Sequence, residues 1–187
     1  MQLYQIRDRA IASNRAVYSV QQLSNLIGKS RAVSTVYLSR LVKKKLAIRV
    51  MKGTVSFVDD SFVIATQLVE PSYLSLDSAL LFHEVIQQVP RFIECVTSKN
   101  SLKHSGIGAV YHKIPKALFF GYKRHSKANS YIFVAEPEKA VIDGIYLNVY
   151  GKKEVKELMP KLNRSRLLEL AEEFDGRGSK KIRSMIR

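Results

Sequence analysis

Residues 19–57 read SVQQLSNLIGKSRAVSTVYLSRLVKKKLAIRVMKGTVSF, and the fold of the amino-terminal third turns on how this stretch is punctuated. Ser19 with Gln22 three positions on is a capping-box pattern, in which each side chain satisfies the other residue's free backbone N–H at a helix start. Leu23, Leu26 and Ile27 supply an apolar face at helical spacing, and Gly28 suits the left-handed position that closes a helix. Only Lys29 separates that glycine from Ser30, a second N-cap residue, so another helix is expected from Arg31 to about Lys45. Ala47 to Met51 and Thr54 to Val58 are β-prone runs joined by Lys52-Gly53, a two-residue connection that closes hairpins. Upstream, Leu3, Ile6, Ala10 and Ile11 place a first helix from Leu3 to about Ser13, closed by Asn14. Helix, helix, glycine turn, helix and hairpin in this order predict a winged helix-turn-helix.

Turned at 100° per residue, the third helix puts Tyr37, Leu38 and Leu41 on its core side with Val33 and Val42 flanking. Ala32, Thr35, Val36, Ser39 and Lys43 fall on the other side, with Arg40 at its edge and Arg31 near its start. Short side chains ringed by cations suit entry into a DNA major groove: Val36 or Ala32 meets a thymine methyl and Arg31 bridges a guanine. A solvated basic face is the plain alternative, and Lys44 and Lys45 also compensate a helix C-terminal dipole. The expected DNA contacts are therefore Arg31, Thr35, Ser39 and Lys43 in the groove, with Lys29, Ser30, Arg40, Lys44, Arg49 and Lys52 on phosphates.

The charge supports this reading through its distribution. The 187 residues carry 31 Lys+Arg and 16 Asp+Glu, a balance of +15. Residues 1–58 hold 11 of the bases and a single acid, Asp8, and residues 29–52 contain eight bases and no acid. A concentration of this kind is the footprint of polyanion binding, not of general solubility. With 46% apolar residues the chain has material for a real core, and its length suits one domain or two small ones. A lone cysteine, Cys95, excludes an intramolecular disulfide and every multi-cysteine zinc site. The opening residues MQLYQIRDRA lack the apolar core of a signal peptide, no run is long enough to cross a membrane, and a cytoplasmic protein is expected.

A composition change at Asp59-Asp60-Ser61 divides the chain on paper into a DNA-binding domain, 1–60, an α+β domain, 61–175, and a basic flexible tail, 176–187. In the second domain, helices are expected at 62–68, 75–87, 137–149, 152–159 and from the N-cap Asn163 through Phe174. Strands are expected at 92–97, 108–114, 117–122 and 130–135, forming a small, mainly antiparallel sheet. Metal and nucleophile signatures are missing. His83, His104, His112 and His125 are far apart, Cys95 reads as a core thiol, and Gly106-Ile107-Gly108 reads as a turn. Glu136, Glu138 and Asp143 resemble a carboxylate set, but Glu136 beside Pro137 also fits ordinary helix-start chemistry. Neither an enzyme nor a metal or cofactor site is expected.

Three blocks carry a family resemblance: EPSYLSLDSALLFHEVI at 70–86, YHKIPKALFFGYK at 111–123 and VAEPEKAVIDGIYL at 134–147. With the helical block at 19–57 before them, they resemble the AbiEi-type antitoxins of prokaryotic abortive-infection systems, over roughly residues 3–150. The resemblance implies a DNA-binding autorepressor that is also the antitoxin of a type IV toxin–antitoxin pair. Its partner would be a nucleotidyltransferase-like toxin opposed without a stable complex, and its operator an inverted repeat bound by a monomer or weak dimer. Gly178-Ser179 is followed by Lys180-Lys181 and no acid, so the chain lacks the metal-binding carboxylates of such a toxin. It is also short after residue 150. An orphan nucleic-acid-binding regulator without a toxin, a protein-interaction module, a concealed nucleotide-acting enzyme and an RNA binder stay open as alternatives.

Overall fold

The computed structural model describes residues 2–186 and divides into two compact units, Met1–Val69 with His125–Ile132 and Glu70–Arg124 with Phe133–Arg187. In the first unit α1 (Leu3–Ala12) buries Ile6 and Ala10, and Asn14, at φ 57°, turns the chain out of it. A short strand β1 (Val17–Ser19) leads directly into α2 (Val20–Ile27). The expected capping box is formed: Gln22 N–H donates to Ser19 Oγ at 3.2 Å and Ser19 N–H to Gln22 Oε1 at 2.8 Å. Gly28 adopts φ 63°, and its N–H and that of Lys29 both donate to the Ser24 carbonyl. The second N-cap also holds, with Ser30 Oγ accepting from Val33 N–H at the start of α3 (Arg31–Lys43). α3 is two residues shorter than expected, because Lys45 takes φ 55° and swings the chain into the hairpin.

That hairpin consists of β2 (Ile48–Met51) and β3 (Thr54–Ser56), turned at Gly53, whose φ of 76° favours a residue without Cβ. β3 is the central strand of an antiparallel sheet ordered β1-β3-β2, with Tyr18 opposite Val55 and Arg49 opposite Val55 on the other edge. Ile6, Ala10, Tyr18, Leu23, Ile27, Leu38, Leu41, Ala47 and Val55 form one buried cluster beneath the three helices and this sheet. Ser34, not Val33, joins Leu38 and Leu41 on the buried side of α3, its hydroxyl donating to the Ser30 carbonyl.

The expected boundary at residue 60 lies too early. Asp60 caps α4 (Ser61–Leu68), whose residues 63–67 are all buried within the first unit. Gln67 near its end explains why. Its Oε1 accepts from Ala16 N–H at 2.8 Å and Val17 N–H at 3.2 Å, and its Nε2 donates to Ser130 Oγ and the Tyr131 carbonyl, both at 2.9 Å.

The second unit is built on β4 (Ser72–Leu74), β5 (Ile93–Thr97), β6 (Leu102–His104), β7 (Ala109–Lys113), β8 (Tyr122–Lys127) and β9 (Ser130–Ala135), in the order β6-β7-β5-β4-β9-β8. The tip of the β8–β9 hairpin, residues 125–132, groups with the first unit. The sheet is mixed: β4/β9 and β5/β7 are parallel, β4/β5 and β6/β7 antiparallel, and β8 runs beside β9 as a hairpin closed at Ala128-Asn129. Its helices are α5 (Leu76–Phe82), α6 (Pro137–Tyr146), α7 (Lys152–Leu158) and α8 (Arg164–Glu173), with Asn163 as the expected N-cap. α5 stops short of Gln87, since Glu84 at φ 59° breaks it. The strand expected at 117–122 is instead a 3₁₀ turn, Lys116–Leu118, and extended backbone resumes only after Gly121 at φ 68°.

The basic carboxyl terminus is not a flexible tail. It forms α9 (Ser179–Ile186), anchored by the buried Ile182 and Ile186. The five bases had concealed an amphipathic pattern, with one apolar residue per turn facing inward.

Candidate nucleic-acid interface

Ala32, Val36, Ser39 and Lys43 are spaced four, three and four residues apart, one ridge along α3, and all four are exposed. Thr35 and Arg40 border the ridge and are exposed, as are Lys29, Ser30 and Arg31 at the helix start. Lys44, Lys45, Arg49 and Lys52 continue the exposed cations through the helix C-terminus and the hairpin. All ten expected contact residues therefore face solvent, and Ser30 additionally serves as N-cap. Lys45 joins them, since α3 ends before it.

None of the ion pairs among the described residues includes any of these cations. Eight like charges between residues 29 and 52 stand without a carboxylate to offset them. Such crowding opposes folding through self-repulsion, and a bound polyanion relieves it. Arg40 and Lys43 in the last turn of α3 also compensate its dipole. That role accounts for two or three of the charges, not for Arg31, Arg49 or Lys52.

The hairpin edge is unusual in another way. In β2, Ile48, Arg49 and Met51 are exposed, because β2 is an edge strand with β3 on one side. Charged Arg49 and Lys52 keep that edge from pairing with other strands. Among the described residues, four of the eight exposed large apolar side chains, Val33, Val36, Ile48 and Met51, lie in this one segment of the chain.

The hydroxyls on α3 are already committed as donors. Thr35 Oγ1 donates to the Arg31 carbonyl at 2.9 Å and Ser39 Oγ to the Thr35 carbonyl at 3.1 Å. Their oxygens keep lone pairs free to accept. This feature has no sequence signal beyond the tendency of Ser and Thr in helices to bond back to the preceding turn.

Elsewhere the carboxylates singled out in the sequence are engaged by structural partners. Arg166 grips Glu136 through two bonds, Nε to Oε2 at 2.9 Å and Nη2 to Oε1 at 3.0 Å, and the hydrogen bond from Arg166 holds the Glu136 carboxyl below the usual range. Glu136 is the N-cap residue of α6, but its side chain serves Arg166 rather than the helix. Glu138 accepts from Asn163 N–H, and Asp143 is bound inside the core, so the three carboxylates do not converge. His83 Nε2 lies 2.9 Å from the Ala135 carbonyl and His112 3.8 Å from Glu94. Burial pushes the Cys95 thiol far up. Gly108 closes the expected turn at φ 64°. Among the described residues no group of three or more His, Cys, Asp or Glu is placed to hold a metal, and no helix is long and apolar enough to cross a membrane.

No family model matches the chain, and no curated protein matches it in sequence. Among solved structures it is similar to the crystal structure of RV2827C protein from Mycobacterium tuberculosis, with a TM-score of 0.52 and 12% identity over 97% of this chain and 76% of that one. The likeness is one of fold, and it accords with a mixed α+β architecture.

Proposed function

We propose that the first unit is a winged helix-turn-helix that binds double-stranded DNA, with α3 in the major groove and the β2–β3 hairpin as its wing, and that the chain is a sequence-specific transcriptional regulator. One observation carries the reading: the segment from Lys29 to Lys52 exposes eight cations with no carboxylate partner among the described residues. Lys29, Arg40, Lys44, Arg49 and Lys52 neutralise phosphates, and Ser30 lies beside them at the helix start. Arg31, Thr35, Ser39 and Lys43 face the groove.

The test is titration of the full chain with a mixed-sequence duplex at 50 and 200 mM salt. Five neutralised phosphates give a slope of about −4.5 in log affinity against log salt. Salt-independent or absent binding refutes the reading and favours a protein-interaction module.

The sequence blocks at 70–86, 111–123 and 134–147 support a narrower role, that of autorepressor and antitoxin of a type IV toxin–antitoxin pair. Footprinting on the gene's own upstream region is expected to protect an inverted repeat. Co-expression with an adjacent nucleotidyltransferase-like gene is expected to restore growth. No protection upstream removes the autorepressor role, and no rescue removes the antitoxin role.

A further inference from the structure

The part of α3 that reaches deepest into a groove carries no long side chain. Its ridge opens with Ala32, Val36, which is 50% exposed, and Ser39, and Thr35 borders it. Val36 is not alone: Val33, Ile48 and Met51 of the same segment are also exposed, so the cationic face carries an apolar patch. The two hydroxyl protons are spent on the Arg31 and Thr35 carbonyls, so both oxygens offer only lone pairs. Between Arg31 at its start and Arg40 and Lys43 one turn further on, the face thus presents methyl groups and hydrogen-bond acceptors.

The four major-groove edges answer this pattern unequally. Guanine shows two acceptors, N7 and O6, and needs a donor, which the stretch from Ala32 to Ser39 does not offer. Adenine offers an N6 amino donor, and the thymine paired with it offers a C5 methyl. Cytosine offers an amino donor but no methyl. An A·T pair therefore satisfies both halves of the surface, and no other pair does.

Given the duplex-binding reading of this face, on which the assignment rests, we infer that α3 is a methyl reader: Val36 and Ala32 pack on thymine methyls while Thr35 and Ser39 accept from adenine amino groups. The operator core is A·T-rich, and Arg31 at the rim is left to mark a guanine at its edge.

The experiment selects duplexes with a randomised 20-base-pair centre on the full chain and then remakes the best duplex with deoxyuridine for thymidine, which removes only the methyl. Affinity is expected to fall about fourfold for each methyl in contact. Val36→Ala, a change at an exposed helical position that keeps the fold, is expected to narrow the thymidine-to-deoxyuridine ratio. Thr35→Val is expected to weaken the preference for adenine and leave the methyl effect in place. Retention of duplex with no A·T enrichment, or with equal affinity for the two remade duplexes, overturns the methyl reading while leaving DNA binding intact. No duplex retained even at 50 mM salt overturns both.

Discussion

Lys139 and Asp143, one turn apart on α6, form an ion pair in which both side chains are completely shielded from solvent. Lys139 Nζ also donates to Tyr73 Oη at 3.0 Å, and Asp143 Oδ2 accepts from Tyr73 Oη at 3.0 Å and Ser75 Oγ at 2.7 Å. The ammonium lies 5.5 Å from the Tyr73 ring centre and 5.4 Å from that of Phe120. Burial drives the lysine's pKa down, and Asp143 opposes that shift. Taking two charges out of water costs several kcal/mol each, and the hydrogen bonds with Tyr73 and Ser75 offset part of that cost.

Removing one member is therefore far worse than removing both. Lys139→Met is expected to lose about 3–5 kcal/mol, because Asp143 stays buried without its counter-charge. The double variant Lys139→Met, Asp143→Asn keeps an acceptor for Tyr73 and Ser75 and is expected to recover most of that loss. Urea midpoints for the three proteins measure the difference, and equal losses in single and double variants would show that the pair is not coupled.

Gln67 saturates both ends of its amide, with two backbone N–H donors on one side and Ser130 and Tyr131 on the other. Ser130 Oγ passes its own proton to the Asn14 carbonyl at 2.7 Å. Gln67→Leu matches the volume but leaves these buried groups unpaired, with an expected cost of at least about 2 kcal/mol. Hydrogen exchange at the Ala16 and Val17 amides is the local readout, and unchanged protection there would refute the clamp.

These two networks mark where sequence reading stops. Helix ends in the first unit were legible because caps are local: Ser19 with Gln22, Gly28 and Ser30 each sit within four residues of what they satisfy. The cation set of the interface was legible for the same reason, as a charge density over 24 consecutive residues. β1 was not, because three residues carry no period, and only the register of Tyr18 with Val55 makes them a strand. The boundary after residue 60 was misplaced because Gln67 and Ser130 are 63 positions apart and neither signals the other. Lys139 and Asp143 stand at i and i+4 with nothing in the sequence to mark them as buried, and only tertiary packing shields them. The donor-spent hydroxyls of Thr35 and Ser39 are rotamer facts with no trace in composition.

Glu136 predicts an acid sensitivity. Its folded-state pKa is depressed, chiefly by the hydrogen bond from Arg166, so the stabilisation is fully present above the ordinary glutamate range and is lost as pH falls through the lower folded value. Arg166 is partly exposed, so solvent screening limits the effect to about 1 kcal/mol. Glu136→Gln is expected to lower the urea midpoint at pH 7 and to converge on the parent near pH 3. A gap that persists unchanged at pH 3 would show that the charge on Glu136 is immaterial.

Gly144 lies inside α6, where alanine ordinarily gains up to about 1 kcal/mol in helix propensity. Here a Cβ would stand 2.1 Å from Tyr150 Cδ2, and the ring cannot easily retreat because Tyr150 Oη donates to Asp77 Oδ1 at 2.6 Å. Overpacking of a closed core costs about 1–3 kcal/mol, so the clash outweighs the propensity gain. Gly144→Ala is expected to lower the melting temperature, and Gly144→Ala with Tyr150→Leu to restore part of it. A more stable single variant would mean that the ring yields and propensity decides.

Lys52 adjoins the hairpin turn beside Gly53, exposed and with no ion-pair partner among the described residues, so in the proposed complex it acts as a point charge on a phosphate. Lys52→Ala is expected to weaken binding to selected and random duplexes by the same factor and to reduce the salt slope by about one. Arg31→Ala is expected to behave differently, relaxing preference at one base pair while random-duplex affinity changes less. Fluorescence anisotropy over a salt series separates the two. Equal losses on both duplexes for Arg31→Ala would remove it from base reading and return it to the phosphate set.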